Sequence, residues 1–319
     1  MSKILKKKAK MPALASLYFI ERKKMASIRE RYGDKFKELA NFSHAAAKID
    51  TTNVYQKANP NTKKMMDKLI SDNMAEGSRL EGVENFKAFL AAIKSGKSGL
   101  ILMEHYANTD LPGLIWLLEN SDDPDCRELG GKVVAIAGMK LNEADSMVRA
   151  FAESFTRVVI YPTRSLDSAT KTATSQEEIE AETKKARAIN LAAMHAMDKC
   201  KRNGEAILVF PSGTRYRPGK PETKRGLKEI DSYLRMFDVM LLVSIDGMIL
   251  KFNPDNMNDM LADECAPAVC VYKASPVIEC KPFRKEYLAS LPEDCPDPKQ
   301  AMIDHVMEYL EKQHNEIKK

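Results

Sequence analysis

The sequence predicts an α/β protein with a mixed, mostly parallel sheet flanked by helices, preceded by a small all-helical N-terminal domain. Three observations support this prediction. Short apolar runs alternate with longer amphipathic segments after residue 99, as strands and helices do in α/β domains. The first 80 residues instead carry apolar side chains at helical spacing. The chain has 319 residues, 44% of them hydrophobic, which is enough for a sizeable core and too apolar for a disordered protein.

The N-terminal part is predicted to be helical because its apolar residues recur every three or four positions and show no strand-like alternation. Gly33 and the turn Asn59-Pro60-Asn61 are expected to separate its first helices. We expect residues 1–80 to form the helical domain and residues 81–319 the α/β domain. The predicted helices cover residues 13–31, 34–48, 62–74 and 83–94.

Six apolar runs and five longer segments predict the strands and helices of the α/β domain. The predicted strands are residues 100–103, 133–137, 158–161, 206–210, 241–245 and 269–272. The predicted helices are residues 111–119, 143–154, 177–202, 227–236 and 298–318. Because α/β sheets bind ligands at the carboxyl ends of their strands, the residues that follow these runs are the candidates for function.

Charge, cysteine content and hydropathy exclude several classes of protein. The net charge is only +5, and the basic residues lack the interleaved aromatic side chains of a nucleic-acid groove, so we expect no nucleic-acid partner. No apolar run approaches the roughly 18 residues of a transmembrane helix. With six cysteines, no CxxC and no secretory signal, we expect free thiols in a reducing compartment.

The chain starts with a marked local excess of positive charge. It could hold the chain near an anionic membrane surface, and a solvated, frayed terminus is the alternative. Its lysines are Lys3, Lys6, Lys7, Lys8 and Lys10.

A histidine and an aspartate follow the first strand of the α/β domain. His105 leaves the strand, and Asp110 comes five residues later, where a helix is predicted to start. A tight turn can fold the carboxylate onto the imidazole, which fixes the tautomer and leaves the other ring nitrogen free to take a proton. The alternative is a polar loop residue beside an ordinary helix cap.

A basic segment follows the fourth strand, where Phe210-Pro-Ser-Gly-Thr-Arg-Tyr-Arg217 begins. Gly213 permits close approach of a ligand, and the guanidinium groups of Arg215 and Arg217 suit a phosphate. A solvated basic loop is the alternative. Arg164 follows the third strand, where a surface arginine is also an ordinary finding. Together these strand ends describe a site that deprotonates a hydroxyl on a phosphorylated molecule.

These motifs resemble conserved blocks of the glycerolipid acyltransferase superfamily. His105-x4-Asp110 is similar to its first block, Phe210-Pro-Ser-Gly-Thr-Arg215 to its third and Leu241–Gly247 to its fourth, in the right order over residues 97–250. Arg164 lies where the second block carries a basic residue.

Within the superfamily, the pattern from Pro211 to Pro218 is most similar to the soluble, plastid-type glycerol-3-phosphate acyltransferases. Phe210 and Thr214 follow the lysophosphatidate type instead. Thr163-Arg164 stands where the soluble type has a Lys-His pair.

The resemblance implies transfer of a fatty acyl group from an acyl carrier protein or coenzyme A thioester to the sn-1 hydroxyl of glycerol 3-phosphate. It implies that His105 is the general base and Asp110 its orienting partner, with no metal and no redox cofactor. It also implies a cytoplasmic protein, or a stromal one in a plastid, that is soluble or peripherally bound to an anionic membrane. Two alternatives stay open: lysophosphatidate as the acceptor, and a non-catalytic protein that binds anionic lipid. The implied substrate-binding residues are Arg164, Ser212, Gly213, Thr214, Arg215 and Arg217.

Overall fold

A computed structural model of the protein describes residues 25–143, 146–253, 255–256 and 259–317. The lysine-rich start and residues 13–24 of the first predicted helix lie outside this range. The helices are α1 (Ile28–Phe42), α2 (Pro60–Asn73), α3 (Val83–Lys94), α4 (Asp110–Glu119), α5 (Pro124–Gly130), α6 (Lys140–Glu143), α7 (Ser146–Glu153), α8 (Thr163–Thr172), α9 (Gln176–Arg202), α10 (Asp231–Met236), α11 (Cys280–Ser290) and α12 (Pro298–Ile317). The strands are β1 (Tyr55–Gln56), β2 (Arg79–Glu81), β3 (Gly99–Met103), β4 (Val133–Gly138), β5 (Arg157–Ile160), β6 (Ala206–Val209), β7 (Val239–Asp246), β8 (Leu250–Lys251), β9 (Glu264–Cys265), β10 (Val271–Ala274) and β11 (Ile278–Glu279).

Nine of these strands form one mixed sheet in the order β1-β5-β4-β6-β3-β7-β10-β2, with β11 also pairing with β7. The five central strands, β5, β4, β6, β3 and β7, are parallel. Their carboxyl ends therefore share one edge of the sheet. The outer strands β1 and β10 run antiparallel to their neighbours β5 and β7. The predicted α/β class with a mostly parallel sheet is confirmed.

Helices cover both faces of the sheet, as a buried parallel sheet requires. All five residues of β3 are buried, and successive side chains point to opposite faces. Ile101 packs in the cluster that includes Phe86 of α3 and Leu114 of α4. Leu102 packs in the cluster that includes Met197 of α9 and Val306 of α12. Helices therefore pack on both faces of β3, and β6 and β7 pair with its two edges.

The six predicted strands and five predicted helices of the α/β part all occur, with small shifts at their ends. The largest shift is at residues 227–236, where a short 3₁₀ turn (Lys228–Ile230) precedes α10. Four helices were not predicted, namely α5, α6, α8 and α11. Each is at most 11 residues long and therefore offers few turns over which a helical period can be recognised.

The N-terminal part differs from its prediction at Gly33, which does not end a helix. Ser27 starts α1, because its hydroxyl accepts the N–H of Glu30 while the Glu30 carboxylate accepts the N–H of Ser27. The helix then runs through Gly33 to Phe42. Two short strands, β1 and β2, were also missed, and both join the sheet through β5 and β10. Strands of two or three residues are too short to show alternation.

None of the helices in the part of the chain described here combines the length and the hydropathy that crossing a membrane requires.

Alanine substitutions at two helical glycines test this packing, because they should change the free energy of unfolding in opposite directions. A Cβ at Gly113 of α4 would lie 2.3 Å from the hydroxyl of buried Tyr272, whereas a Cβ at Gly33 of α1 would meet nothing within 4 Å. Gly113→Ala should therefore lower the free energy of unfolding by about 1–3 kcal/mol. Gly33→Ala should raise it by about 0.5–1 kcal/mol, because alanine loses less backbone entropy in a helix. Urea unfolding of both variants checks this, and a Gly113→Ala variant at least as stable as the wild type would contradict the packing of α4 against β10.

Candidate active site

The two candidate segments leave neighbouring strands at the same edge of the sheet. In the parallel register, Leu102 of β3 pairs with Val209 of β6. The chain therefore emerges from both strands at the same level, toward His105 on one side and Phe210 on the other. A single ligand can then contact both segments.

His105 and Asp110 are in direct contact. The Nδ1 atom of His105 lies 2.9 Å from Oδ2 of Asp110, which is the first residue of α4 and is 2% exposed. The same oxygen accepts the backbone N–H groups of Tyr106 at 2.5 Å and Ala107 at 2.8 Å. A carboxylate can only accept, so Nδ1 of His105 carries the hydrogen and Nε2 is left as a proton acceptor.

The basic segment holds the imidazole from its other side. The Phe210 ring stacks on the His105 ring, with centroids 3.8 Å apart and planes at 13°. The N–H of Tyr216 donates to the carbonyl of His105 at 2.8 Å. The histidine turn and the basic segment therefore form one unit, and the imidazole is partly exposed within it.

The turn after Phe210 is shaped by its own hydrogen bonds. The Gly213 N–H donates to the Phe210 carbonyl at 2.9 Å, and the buried Ser212 hydroxyl donates to the Thr214 carbonyl at 2.7 Å. Gly213 has φ +63°, and a Cβ there would lie 2.5 Å from the Leu227 side chain. Glycine is thus required at this turn for both its conformation and its size.

Arg215 is the most buried arginine of the basic segment and is paired. Its Nη1 contacts Oδ2 of Asp263, whose side chain is fully buried, and its guanidinium lies 4.0 Å over the Phe252 ring. Asn108, within the histidine turn, donates to the same Asp263 oxygen at 3.4 Å. Arg217 lies two residues further along and is partly buried. A guanidinium carries five N–H donors, so the contact of Nη1 with Asp263 uses only part of the hydrogen-bonding capacity of Arg215.

Two further cations follow the basic segment in sequence and are paired with acids of α12. Lys224 lies 3.1 Å from Glu311, and Arg225 lies 3.8 Å from Asp304. The structure assigns both cations to the packing of α12 on the loop.

Arg164 is set apart from the other predicted residues. It lies in the first turn of α8, beyond β5, and is exposed. Strands β4 and β6 separate β5 from β3, so the two strand ends are roughly 14 Å apart. The contacts described above join His105 and Asp110 to the basic segment, whereas Arg164 follows a strand that lies two places from β6 and three places from β3.

Sequence reasoning missed three polar residues beside the site. Asp263 lies 48 residues beyond Arg215, so no local spacing marks it. Glu104 is a buried carboxylate directly after β3, and His314 of α12 contacts it at 3.1 Å. A charged residue next to a wholly apolar strand was the only available signal, and it is weak. Within the described residues, no three His, Cys, Asp or Glu side chains converge as a metal site requires.

The buried Asp263 gives a pH-dependent prediction. Burial raises the pKa of Asp263 to about 6 although Arg215 opposes the shift. Between pH 4 and 6 the folded chain therefore binds more protons at this residue than the unfolded chain, so its contribution to stability falls as pH rises. The free energy of unfolding of the wild type, relative to Asp263→Asn, should fall by about 2 kcal/mol between about pH 4.5 and 7. Urea unfolding at several pH values measures it, and a constant difference would contradict the burial of an ionised carboxyl here.

A match to a known protein family covers the region that holds the candidate site. The model of the family described as Acyltransferase matches residues 78–239, about half of the chain. That range contains the His105–Asp110 turn and the segment from Phe210 to Arg217. A search of the curated proteins found no match. By the extent of the family match, this chain belongs to the Acyltransferase family.

Proposed function

We propose that this acyltransferase moves a fatty acyl group from an acyl carrier protein or coenzyme A thioester to the sn-1 hydroxyl of glycerol 3-phosphate. Family membership supports acyl transfer. The choice of a small phosphorylated acceptor rests on the charge and the position of the basic segment.

One observation carries this proposal: the His105–Asp110 pair is joined to the basic segment that holds Arg215. Stacking of Phe210 on His105 and the hydrogen bond from Tyr216 fix the two parts relative to each other. A proton acceptor beside an anion-binding group suits an acceptor that carries both a hydroxyl and a phosphate.

The proposed step transfers the acyl group directly. Nε2 of His105 takes the proton of the sn-1 hydroxyl as its oxygen attacks the thioester carbonyl, and Asp110 stabilises the resulting imidazolium. The tetrahedral intermediate then collapses, the carbon–sulfur bond breaks, and the Nε2 proton passes to the leaving thiolate. The products are an acyl ester and a free thiol, and His105 returns to its starting state.

No covalent acyl-enzyme is part of the proposal. Ser212 is the hydroxyl residue of the basic motif, but its side chain is buried and its hydroxyl donates to the Thr214 carbonyl. It is therefore placed to shape the turn and not to attack a thioester. Arg215 and Arg217 would hold the acceptor phosphate, which converts binding energy into correct placement of the hydroxyl.

The test is an assay of the purified chain with each pair of donor and acceptor. The donors are the acyl thioesters of acyl carrier protein and of coenzyme A, each labelled in the acyl chain. Each donor is supplied with glycerol 3-phosphate or with lysophosphatidate. Lysophosphatidate as the product from glycerol 3-phosphate supports the proposal. Phosphatidate formed from lysophosphatidate, with no product from glycerol 3-phosphate, would show that lysophosphatidate is the acceptor. Vesicle binding without any acyl transfer would favour the lipid-binding alternative.

Removal of the proposed base should nearly abolish turnover. His105→Gln keeps a polar side chain but has no group that takes a proton at neutral pH, so kcat should fall by about 10²–10⁴-fold. The matched control is His195→Gln, because His195 is exposed on α9 and lies outside the site. Steady-state kinetics with thermal unfolding as a fold check make the measurement. An active His105→Gln enzyme would remove the mechanism.

Loss of the guanidinium fork at Arg215 should weaken acceptor binding. Arg215→Lys keeps a charge for the buried Asp263 but loses bidentate geometry, so the KM for glycerol 3-phosphate should rise about tenfold with kcat changed far less. Arg225→Lys is the control in the same loop, since Arg225 is 63% exposed and pairs with α12. Equal KM values for the two variants would argue against a phosphate site at Arg215.

A further inference from the structure

A polar cluster around the buried carboxylate of Glu104 lies directly behind the histidine turn. We call Glu104, Tyr106 and His314 the rear cluster. Glu104 is 3% exposed, and its carboxylate accepts from the Tyr106 hydroxyl at 2.8 Å, from the Ile245 N–H at 2.9 Å and from Nδ1 of His314 at 3.1 Å. A buried carboxylate is costly unless it is hydrogen-bonded, and here three donors from three parts of the chain hold it in one position.

The rear cluster connects the last helix to the site. His314 belongs to α12, whose end is fixed to the sheet because Gln313 donates to the carbonyls of Leu242 and Lys273. The Ser244 hydroxyl donates to the Leu310 carbonyl at 2.8 Å. His314 is therefore held in place and lies outside residues 78–239, which the family match covers.

Tyr106 contacts both parts of the site, the histidine turn and the basic segment. It lies between His105 and Ala107, and its N–H is one of the donors to Asp110. Its ring meets the Tyr216 ring edge-on, with centroids 6.2 Å apart, and Tyr216 donates to the His105 carbonyl. A shift of the Tyr106 ring would therefore move the histidine turn relative to the basic segment.

We propose that Glu104 and His314 are positioning residues that hold the His105 turn in register with the basic segment. This inference rests on the proposed function, because it assumes that His105 acts on an acceptor held by that segment. Small displacements of reacting groups cost large factors in rate, so the cluster should affect turnover more than donor binding.

His314→Leu and His314→Asn separate positioning from packing. Leucine keeps apolar bulk beside Tyr106 but loses the N–H to Glu104, whereas asparagine places an N–H donor at the same distance along the side chain as Nδ1. We expect kcat to fall about tenfold in His314→Leu, with the KM for the acyl donor within about twofold, and to recover in His314→Asn.

His305→Leu is the matched control on the same helix. His305 stacks on Tyr287 at 4.1 Å, away from the rear cluster, so its loss should lower thermal stability and leave kcat near that of the wild type. If His314→Leu turned over at the wild-type rate, or if His314→Asn were as slow as His314→Leu, the positioning role would be overturned.

A second readout does not depend on activity. The imidazole resonances of His105, assigned by their loss in His105→Gln, should shift in His314→Leu and not in His305→Leu. If the wild type made no acyl product with any acceptor, the proposed function would fail. The positioning role of the rear cluster would then be tested by these spectra alone, and unchanged His105 resonances in His314→Leu would overturn that role.

Discussion

The parallel pairing of β3 with β6 is the constraint on which the candidate site depends. These strands are distant in sequence, and their register puts Leu102 beside Val209. The residues that follow each strand then lie side by side, and no long loop has to be ordered to bring them together. The contacts between His105, Phe210 and Tyr216 are a consequence of this pairing. Close packing on both faces makes the register of β3 hard to change, since its side chains already fill the hydrophobic cores on either side of the sheet.

Most charges around the site are balanced by partners that lie far away in sequence. Asp263 pairs with Arg215, His314 contacts Glu104, and Glu311 of α12 pairs with Lys224. The buried members of such pairs contribute little net stability, because desolvation offsets their attraction, but they define orientation. Asp263, Glu311 and His314 therefore shape a site whose recognisable motifs all lie before residue 248.

Local patterns in the sequence predicted the parts of the fold that depend on local physics. Apolar runs such as Leu100–Met103 predicted the central strands, and His105 and Asp110 could be paired because a tight turn keeps them close. Gly33 was misjudged because the capping box at Ser27 sets where α1 begins. The roles of Asp263 and His314 could not be predicted, since only the order of strands and the packing of α12 bring them to the site. The position of Arg164 depends on strand order in the same way, because β4 and β6 intervene between its strand and β3.

The most direct test of the proposed site is a crystal structure of the protein with glycerol 3-phosphate bound. We expect the phosphate to contact the guanidinium of Arg215 or Arg217. We also expect the sn-1 oxygen to lie about 3 Å from Nε2 of His105, within hydrogen-bond reach. A phosphate bound away from the basic segment, or a hydroxyl that no orientation brings within reach of His105, would contradict it.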